Sequence, residues 1–287
     1  VQIGTLKELR RYPVKSMAGE LLEQLDLAAG GIPGDRAWAV RDEVLGGIRG
    51  AKKLPGLMAL AARYPSFPAA EGSRPAEITL PDGSTVMTSD PEINERITKA
   101  IDHPVSLWPL LPADALDHYR RGAPTHDDML EELRAIFGRE PDEPLPDLSI
   151  FPPEIMEFES PPGTYFDAFP LLLLSQSSLD EMQTRVPGSR FDTRRFRPNF
   201  LISDTQEGVA FPEQEWQGRR IQVGEAIVQV TVECPRCVMV THGFDDLQKD
   251  PGIMRSLVKE TGGILGVYAT VEQPGRVKVG DSIELLP

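Results

Sequence analysis

Cysteine is nearly missing from this 287-residue chain: there are two, Cys234 and Cys237. Two cysteines cannot build a disulfide framework, so a reducing cytoplasm is the expected compartment. Histidine is scarce as well, with His103, His118, His126 and His242 making the full set. No apolar run approaches the roughly 20 residues that span a bilayer, and Leu171 to Leu174 is far too short. The N-terminus lacks the basic, apolar and small-residue pattern of a signal peptide. Positive charge is the minority sign: 30 Lys and Arg against 44 Asp and Glu leave a net charge of −14. That balance argues against non-specific nucleic-acid binding, which sets cations against phosphates.

The few cations cluster. Arg190, Arg194, Arg195 and Arg197 lie close together, Lys52 and Lys53 form a pair, and Arg10, Arg11 and Lys15 form a third group. Local cations on an acidic chain point to a small anionic ligand or, more plainly, to a solvated face with scattered ion pairs.

Alternation and turn chemistry dominate the chain. Leu25 and Leu27 alternate before a Gly-Pro-Gly turn stretch, and Ala37 to Val40 reads as a buried strand. Asp82-Gly83 should turn a hairpin between Ile78 and Val86. Asp90-Pro91-Glu92 opens a helix with Ile93, Ile97 and Ile101 as its apolar stripe. A helix-like piece, 127–137, precedes a stretch with eight prolines between 141 and 170. That stretch reads as a connection or a long surface excursion. Further helices are expected near Leu179–Val186 and 250–260, each stopped by glycine. Val277 to Leu285 reads as a hairpin about Gly280-Asp281. The tally is a mostly β protein with peripheral helices, an α+β, barrel-like fold.

Both cysteines stand in Glu233-Cys234-Pro235-Arg236-Cys237, after the run Ala226 to Val232, whose Val228, Val230 and Val232 would share one face. The thiols are thus expected at a strand end, with Arg236 favouring thiolate. Cys-x-x-Cys leaves several readings open. A structural zinc site would need about four ligands, and only His242 is near in sequence. A redox pair should open a helix, whereas Val238 to Val240 continues the strand pattern. A single thiolate could hold a soft transition metal. Two ordinary buried cysteines would look the same. Arg197-Pro198-Asn199 offers a bidentate cation and an amide suited to a heterocycle edge, or a strand-entry turn. Lys15-Ser16 suits phosphate, or is an ordinary exposed pair.

Taken together, six short motifs resemble the MOSC family in its two-part form. There a MOSC N-terminal β-barrel domain precedes the MOSC domain, as in the mitochondrial amidoxime-reducing component and its bacterial relatives. The carriers are Tyr12 to Ser16, Gly34 to Trp38, Phe166 to Pro170, Phe196 to Asn199, Cys234 to Cys237 and Pro274 to Asp281. The resemblance implies domains at 1–125, with a first strand that can pair with the second domain, and at 126–287, with the proline-rich connection at 141–165.

It also implies a molybdopterin-type molybdenum cofactor. Cys237 matches the molybdenum ligand. Lys15, Ser16 and Arg36 match anchoring positions, and Arg197 and Asn199 the family's cofactor-contacting pair. Pro235 and Arg236 precede the ligand. Asp167 matches an acidic residue near the metal that would pass protons if burial raised its pKa. The implied activity reduces amidoximes and hydroxylamines to amidines and amines, with electrons from a separate reductase or small redox protein. The chain lacks the four thiolates of an iron–sulfur cluster of its own. Lys52 stands where the reductases carry an arginine. Rival readings are a cofactor carrier or store, a sulfur carrier with persulfide on Cys237, and a zinc-stapled structural protein.

Overall fold

The strand Ala226–Pro235 shows how a valine pattern becomes a barrel wall. Ala226, Val228 and Val230 are buried, and the residues between them are half-buried. The pattern then breaks. The register against Ile264–Gln273 shifts between Val230 and Glu233, a bulge that re-aims the side chains beyond it. Val232, expected on the valine face, is therefore turned off it, and Cys234 is buried instead, at 2% exposure.

The computed structural model describes residues 1–67, 72–204 and 208–287. Around the barrel, Gln2–Arg11 pairs with Phe200–Asp204, which lies parallel to Leu171–Ser175. Ile264–Gln273, Ala226–Pro235, Arg220–Val223 and Ser282–Leu285 follow, all antiparallel. Ser282–Leu285 then pairs back to Gln2–Arg11, closing seven strands. The one parallel pair needs a crossover, supplied by the helix Gln176–Arg185 and the short helix Thr193–Phe196. Leu6, Leu173, Phe200, Val228, Val267 and Ile283 fill the interior. The fold is mostly β with peripheral helices, as the alternation implied.

In the first part, Trp38–Asp42 lies between Ile48–Arg49 and Val105–Pro109. Glu77–Thr79 and Thr85–Met87 form the expected hairpin, with Gly83 at φ 81°. The helix Ile93–Ile101 turns Ile93 and Ile97 inward. Met239, Phe244 and Leu247 of the second part join this core, so the two parts interlock.

The expected C-terminal hairpin does not form. Gly275–Lys278 pairs with Gln24–Leu27, and Ser282–Leu285 enters the barrel. Val277 and Ile283 bury in the same core, so separating the two strands seats both apolar residues. The proline-rich stretch carries the 3₁₀ turn Pro153–Met156 and one isolated bridge, Arg120 to Phe158. It supplies the buried Phe151, Phe158 and Tyr165. Among the described residues no helix is long and apolar enough to cross a membrane.

One buried acid marks the barrel's flank. Glu213 is fully buried and accepts a hydrogen bond from Ser178. Its Oε1 has no protein partner among the described residues. Burial pushes its carboxyl up from 4.5 to about 7. A folded carboxyl that stays protonated while the unfolded chain ionises costs stability as pH rises through this window. Stability should therefore fall between about pH 4.5 and 7 and level off above. Glu213→Gln should flatten that slope and stabilise the protein at pH 8 by an amount on the order of 3 kcal/mol. Urea unfolding at pH 5 and pH 8 reads this directly, and equal slopes for both proteins would exclude Glu213 as the cause.

Candidate functional site

All nine residues nominated from sequence line one cleft: Lys15, Ser16, Arg36, Asp167, Arg197, Asn199, Pro235, Arg236 and Cys237. Lys15 and Ser16 follow the first barrel strand, and Arg36 ends the turn-rich stretch. Arg197 follows the short helix Thr193–Phe196, and Cys237 follows the bulged strand. Ser16, Arg36 and Arg197 have φ of 70°, 49° and 57°. Left-handed backbone costs a residue with a Cβ about 1–2 kcal/mol, and such strain concentrates at functional sites.

A buried carboxylate frames the cleft. Asp35 Oδ1 accepts from the Tyr12 amide at 2.6 Å, and Oδ2 accepts from Arg36 Nη1 and from Asn199 Nδ2 at 3.2 Å. The Arg36 and Arg197 guanidiniums lie over the Tyr12 ring, 5.0 and 4.2 Å from its centroid. Asn199 was expected to meet a heterocycle edge, but its amide is engaged by the wall. Its Oδ1 accepts from the Leu172 amide at 3.1 Å, and Nδ2 also donates to the Arg10 carbonyl at 3.3 Å. It braces two strands.

Lys15 is similarly committed. Its Nζ donates to Ser160 Oγ at 3.3 Å, the Tyr165 carbonyl at 2.8 Å and Asp167 Oδ1 at 3.0 Å. An ammonium has three hydrogens, so none remains for the phosphate that sequence assigned to it. Burial lowers its pKa, opposed mainly by Asp167. Ser16 Oγ accepts from the Ala51 amide at 2.9 Å and keeps its own hydrogen to donate.

Asp167 reverses its expectation. Burial opposes its charge, but Lys15, Lys52 and Arg36 outweigh it and hold the carboxyl well below the usual carboxylate range. The side chain is 46% exposed, so water screens part of that effect. Lys52 Nζ lies 3.6 Å from both Asp167 Oδ1 and Glu159 Oε1. Burial works against its charge, yet those carboxylates hold its pKa above the usual lysine range.

The cysteines differ. Arg236 Nη1 donates to Cys234 Sγ at 3.0 Å, and Nη2 to the Phe196 carbonyl at 2.6 Å. Cys237 is half-buried, and burial pushes its thiol up, with Lys52 the main opposing charge. The expected thiolate-favouring effect of Arg236 is thus the lesser one at Cys237, because its guanidinium turns to Cys234. The strand ends at Pro235, and Val238–Thr241 is a 3₁₀ turn instead of a continued strand. His242 Nε2 lies 3.0 Å from the Ala51 carbonyl. Among the described residues no three His, Cys, Asp or Glu are grouped to hold a metal.

In the cleft, the guanidinium nitrogens Arg197 Nη2 and Arg236 Nε are buried without a protein partner among the described residues. Buried donors of this kind call for an acceptor, and both residues line the cleft. The donor set therefore fits an anionic, acceptor-rich ligand beside a thiol. The free volume is about 60 Å³, well below the roughly 300–1,000 Å³ of small-molecule sites. A pterin-sized ligand thus requires the long side chains on the walls to swing. Sequence reasoning missed Asp35 and Tyr12 as framing residues and Tyr268 as a wall residue. Asp35 sat in a quoted motif, and its acidity beside Arg36 was the available signal.

Asp35→Ala would strand Arg36 and the Tyr12 amide at once and leave Asn199 Nδ2 with the Arg10 carbonyl alone. Loss of one partner from a buried pair costs about 3–5 kcal/mol. Asp167→Ala, half-exposed, should cost less. Denaturant midpoints of the two variants check the order.

Residues 162–284 match the MOSC domain, and residues 3–110 match the MOSC N-terminal beta barrel domain. The mitochondrial amidoxime-reducing component 1 of Mus musculus is 31% identical over 137 residues, covering 42% of this chain and 38% of its own length. The chain thus aligns to less than two thirds of that relative. The Xenopus laevis protein of the same name is 23% identical over 309 residues, 98% of this chain and 82% of its own. The crystal structure of the YuaD protein from Bacillus subtilis superposes with a TM-score of 0.44 at 15% identity, covering 99% of this chain and 95% of its own. With both domains present in this order, the chain belongs to the MOSC proteins of the two-part form, with an N-terminal beta barrel domain ahead of the MOSC domain.

Proposed function

We propose that this chain binds a molybdopterin-type molybdenum cofactor in the cleft and reduces N-hydroxylated compounds, amidoximes and hydroxylamines, to amidines and amines. The observation that supports it is the conjunction of a half-buried thiol, Cys237, with the unpartnered buried N–H groups of Arg197 and Arg236. The names of the relatives, amidoxime-reducing components, point the same way.

Bound there, the cofactor would supply two electrons; with two protons the N–O bond breaks and the oxygen leaves as water. The protein's part is binding, orientation and proton supply. Cys237 would hold the metal as thiolate, so metal binding must displace its proton. Arg36, Arg197 and Arg236 would take the anionic oxygens and ring acceptors, with the Ser16 hydroxyl as a short donor. Lys15 and Asn199 would serve by fixing the walls. Asp167, ionised in this arrangement, would act as a relay by taking a proton from solvent at each turnover. Electrons would come from a separate reductase or small redox protein.

Metal and pterin analysis of protein made in a cofactor-competent host tests this reading. Wild type should carry molybdenum and reduce an amidoxime with a reduced dye. Cys237→Ala should lose both metal and activity, while Cys234→Ala keeps its metal. Metal without turnover would make the chain a carrier, and sulfane sulfur on Cys237 without metal would make it a sulfur carrier.

Arg36→Ala or Arg197→Ala should each weaken pterin retention by about one to two powers of ten, from about 1.5–3 kcal/mol per charge-assisted hydrogen bond. Arg219→Ala, outside the cleft, should not. Pterin content after dialysis decides; equal loss in the Arg219 and Arg36 variants would overturn the assignment.

A further inference from the structure

A second cavity opens beside the cleft, and Asp167 lines both. It holds about 310 Å³, at the lower end of the roughly 300–1,000 Å³ usual for small-molecule sites. The helix Met129–Phe137 forms one wall. Met129, Leu133, Ile136 and Phe137 follow i, i+4, i+7, i+8 spacing, and all four line the cavity. A helix ordinarily turns such a stripe into the core. Here the buried residue of the helix is Glu132, paired with Lys53 Nζ at 2.5 Å, and Met129 is 59% exposed. Leu148 and Met156 from the proline-rich stretch extend the apolar lining.

The charged side chains of the cavity are ion-paired. Lys52 faces Glu159 and Asp167, Arg121 pairs with Glu159, Lys53 with Glu132, and Arg49 with Asp42. Among the described residues every charged side chain of the lining thus has an ion-pair partner, and no carboxylate there is free to hold a cationic ligand. The apolar wall falls between residues 129 and 156, outside both matched domain ranges, 3–110 and 162–284. The wall therefore belongs to this chain's own connecting segment.

We infer that this cavity receives the apolar body of the substrate, an aromatic or branched-alkyl amidoxime that is neutral at pH 7, and that its N-hydroxyl end reaches the cleft past Lys52 and Asp167. The inference rests on the proposed reductase reading. A neutral substrate sheds little hydration on entry. The amidine product is protonated at pH 7, and each carboxylate in reach already has a cation. An ion without a partner in an apolar cavity is strongly disfavoured, so the product is expelled. Leu133, Ile136 and Phe137 thereby set specificity without touching the reacting atoms.

The test uses chain purified from a cofactor-competent host, oxidised and without reductant, titrated with benzamidoxime and with acetamidoxime by calorimetry. Benzamidoxime should bind about tenfold tighter or better, the difference a ring buried in an apolar pocket produces. Ile136→Glu and the milder Leu133→Ala should weaken benzamidoxime and leave acetamidoxime unchanged, with folding checked by thermal melting. With reduced dye, the same variants should raise KM for benzamidoxime with kcat unaltered. No preference in wild type, or unchanged benzamidoxime affinity in both variants, overturns the inference. A wild-type chain that binds benzamidoxime through this wall and never reduces it keeps the cavity and overturns the reductase reading instead.

Discussion

A single buried carboxylate, Asp35, holds the cleft together. Its two oxygens meet the end of the first barrel strand through the Tyr12 amide, its own turn through Arg36, and the Arg197-Pro198-Asn199 turn through Asn199. Asn199 passes the constraint on to Leu172 and Arg10. Three distant stretches of chain are thus fixed to one point. Burying a charge is unfavourable unless it is paired and hydrogen-bonded, and Asp35 is both. The strained backbone at Arg36 and Arg197 is tolerable because this frame overdetermines it.

The same logic explains how an acidic chain presents a cationic cleft. A net charge of −14 repels an anion at long range, but the field decays over about 8 Å at physiological salt. What an anion meets locally is Arg36, Arg197 and Arg236 over the faces of Tyr12 and Phe196. Asp35 holds Arg36, and the Met17 and Phe196 carbonyls hold Arg197 and Arg236.

Much of this was legible in the sequence. Strand alternation gave the barrel class, Asp82-Gly83 its hairpin, and Asp90-Pro91 a helix start. Five of the six motifs place residues in one cleft, although Lys15 and Cys237 stand 222 positions apart; the sixth, Pro274 to Asp281, pairs with Gln24–Leu27 instead. What was not legible depends on partners that only the fold supplies. The bulge after Val230 leaves Val232 off the buried face, and no residue type announces it. Lys15 and Asn199 are polar residues of the right kind for a ligand, yet carbonyls and amides from remote segments take their hydrogen bonds. Asp167 stays ionised because Lys15, Lys52 and Arg36 converge on it from three directions. The apolar stripe of Met129–Phe137 was visible as a helix, but periodicity does not say that it faces a cavity.

The first barrel strand also sets the timing of folding. Gln2 pairs with Glu284, and Leu9 with Phe200. A ribosome delivers that strand long before either partner exists. The barrel therefore cannot close before Ser282–Leu285 has been made. Until then the strand is an open edge, a template for mispairing with other chains. Contacts this remote in sequence form slowly. Expression at lowered temperature, or with a chaperone that shields extended segments, should raise the yield of closed barrel more than any change to the cleft.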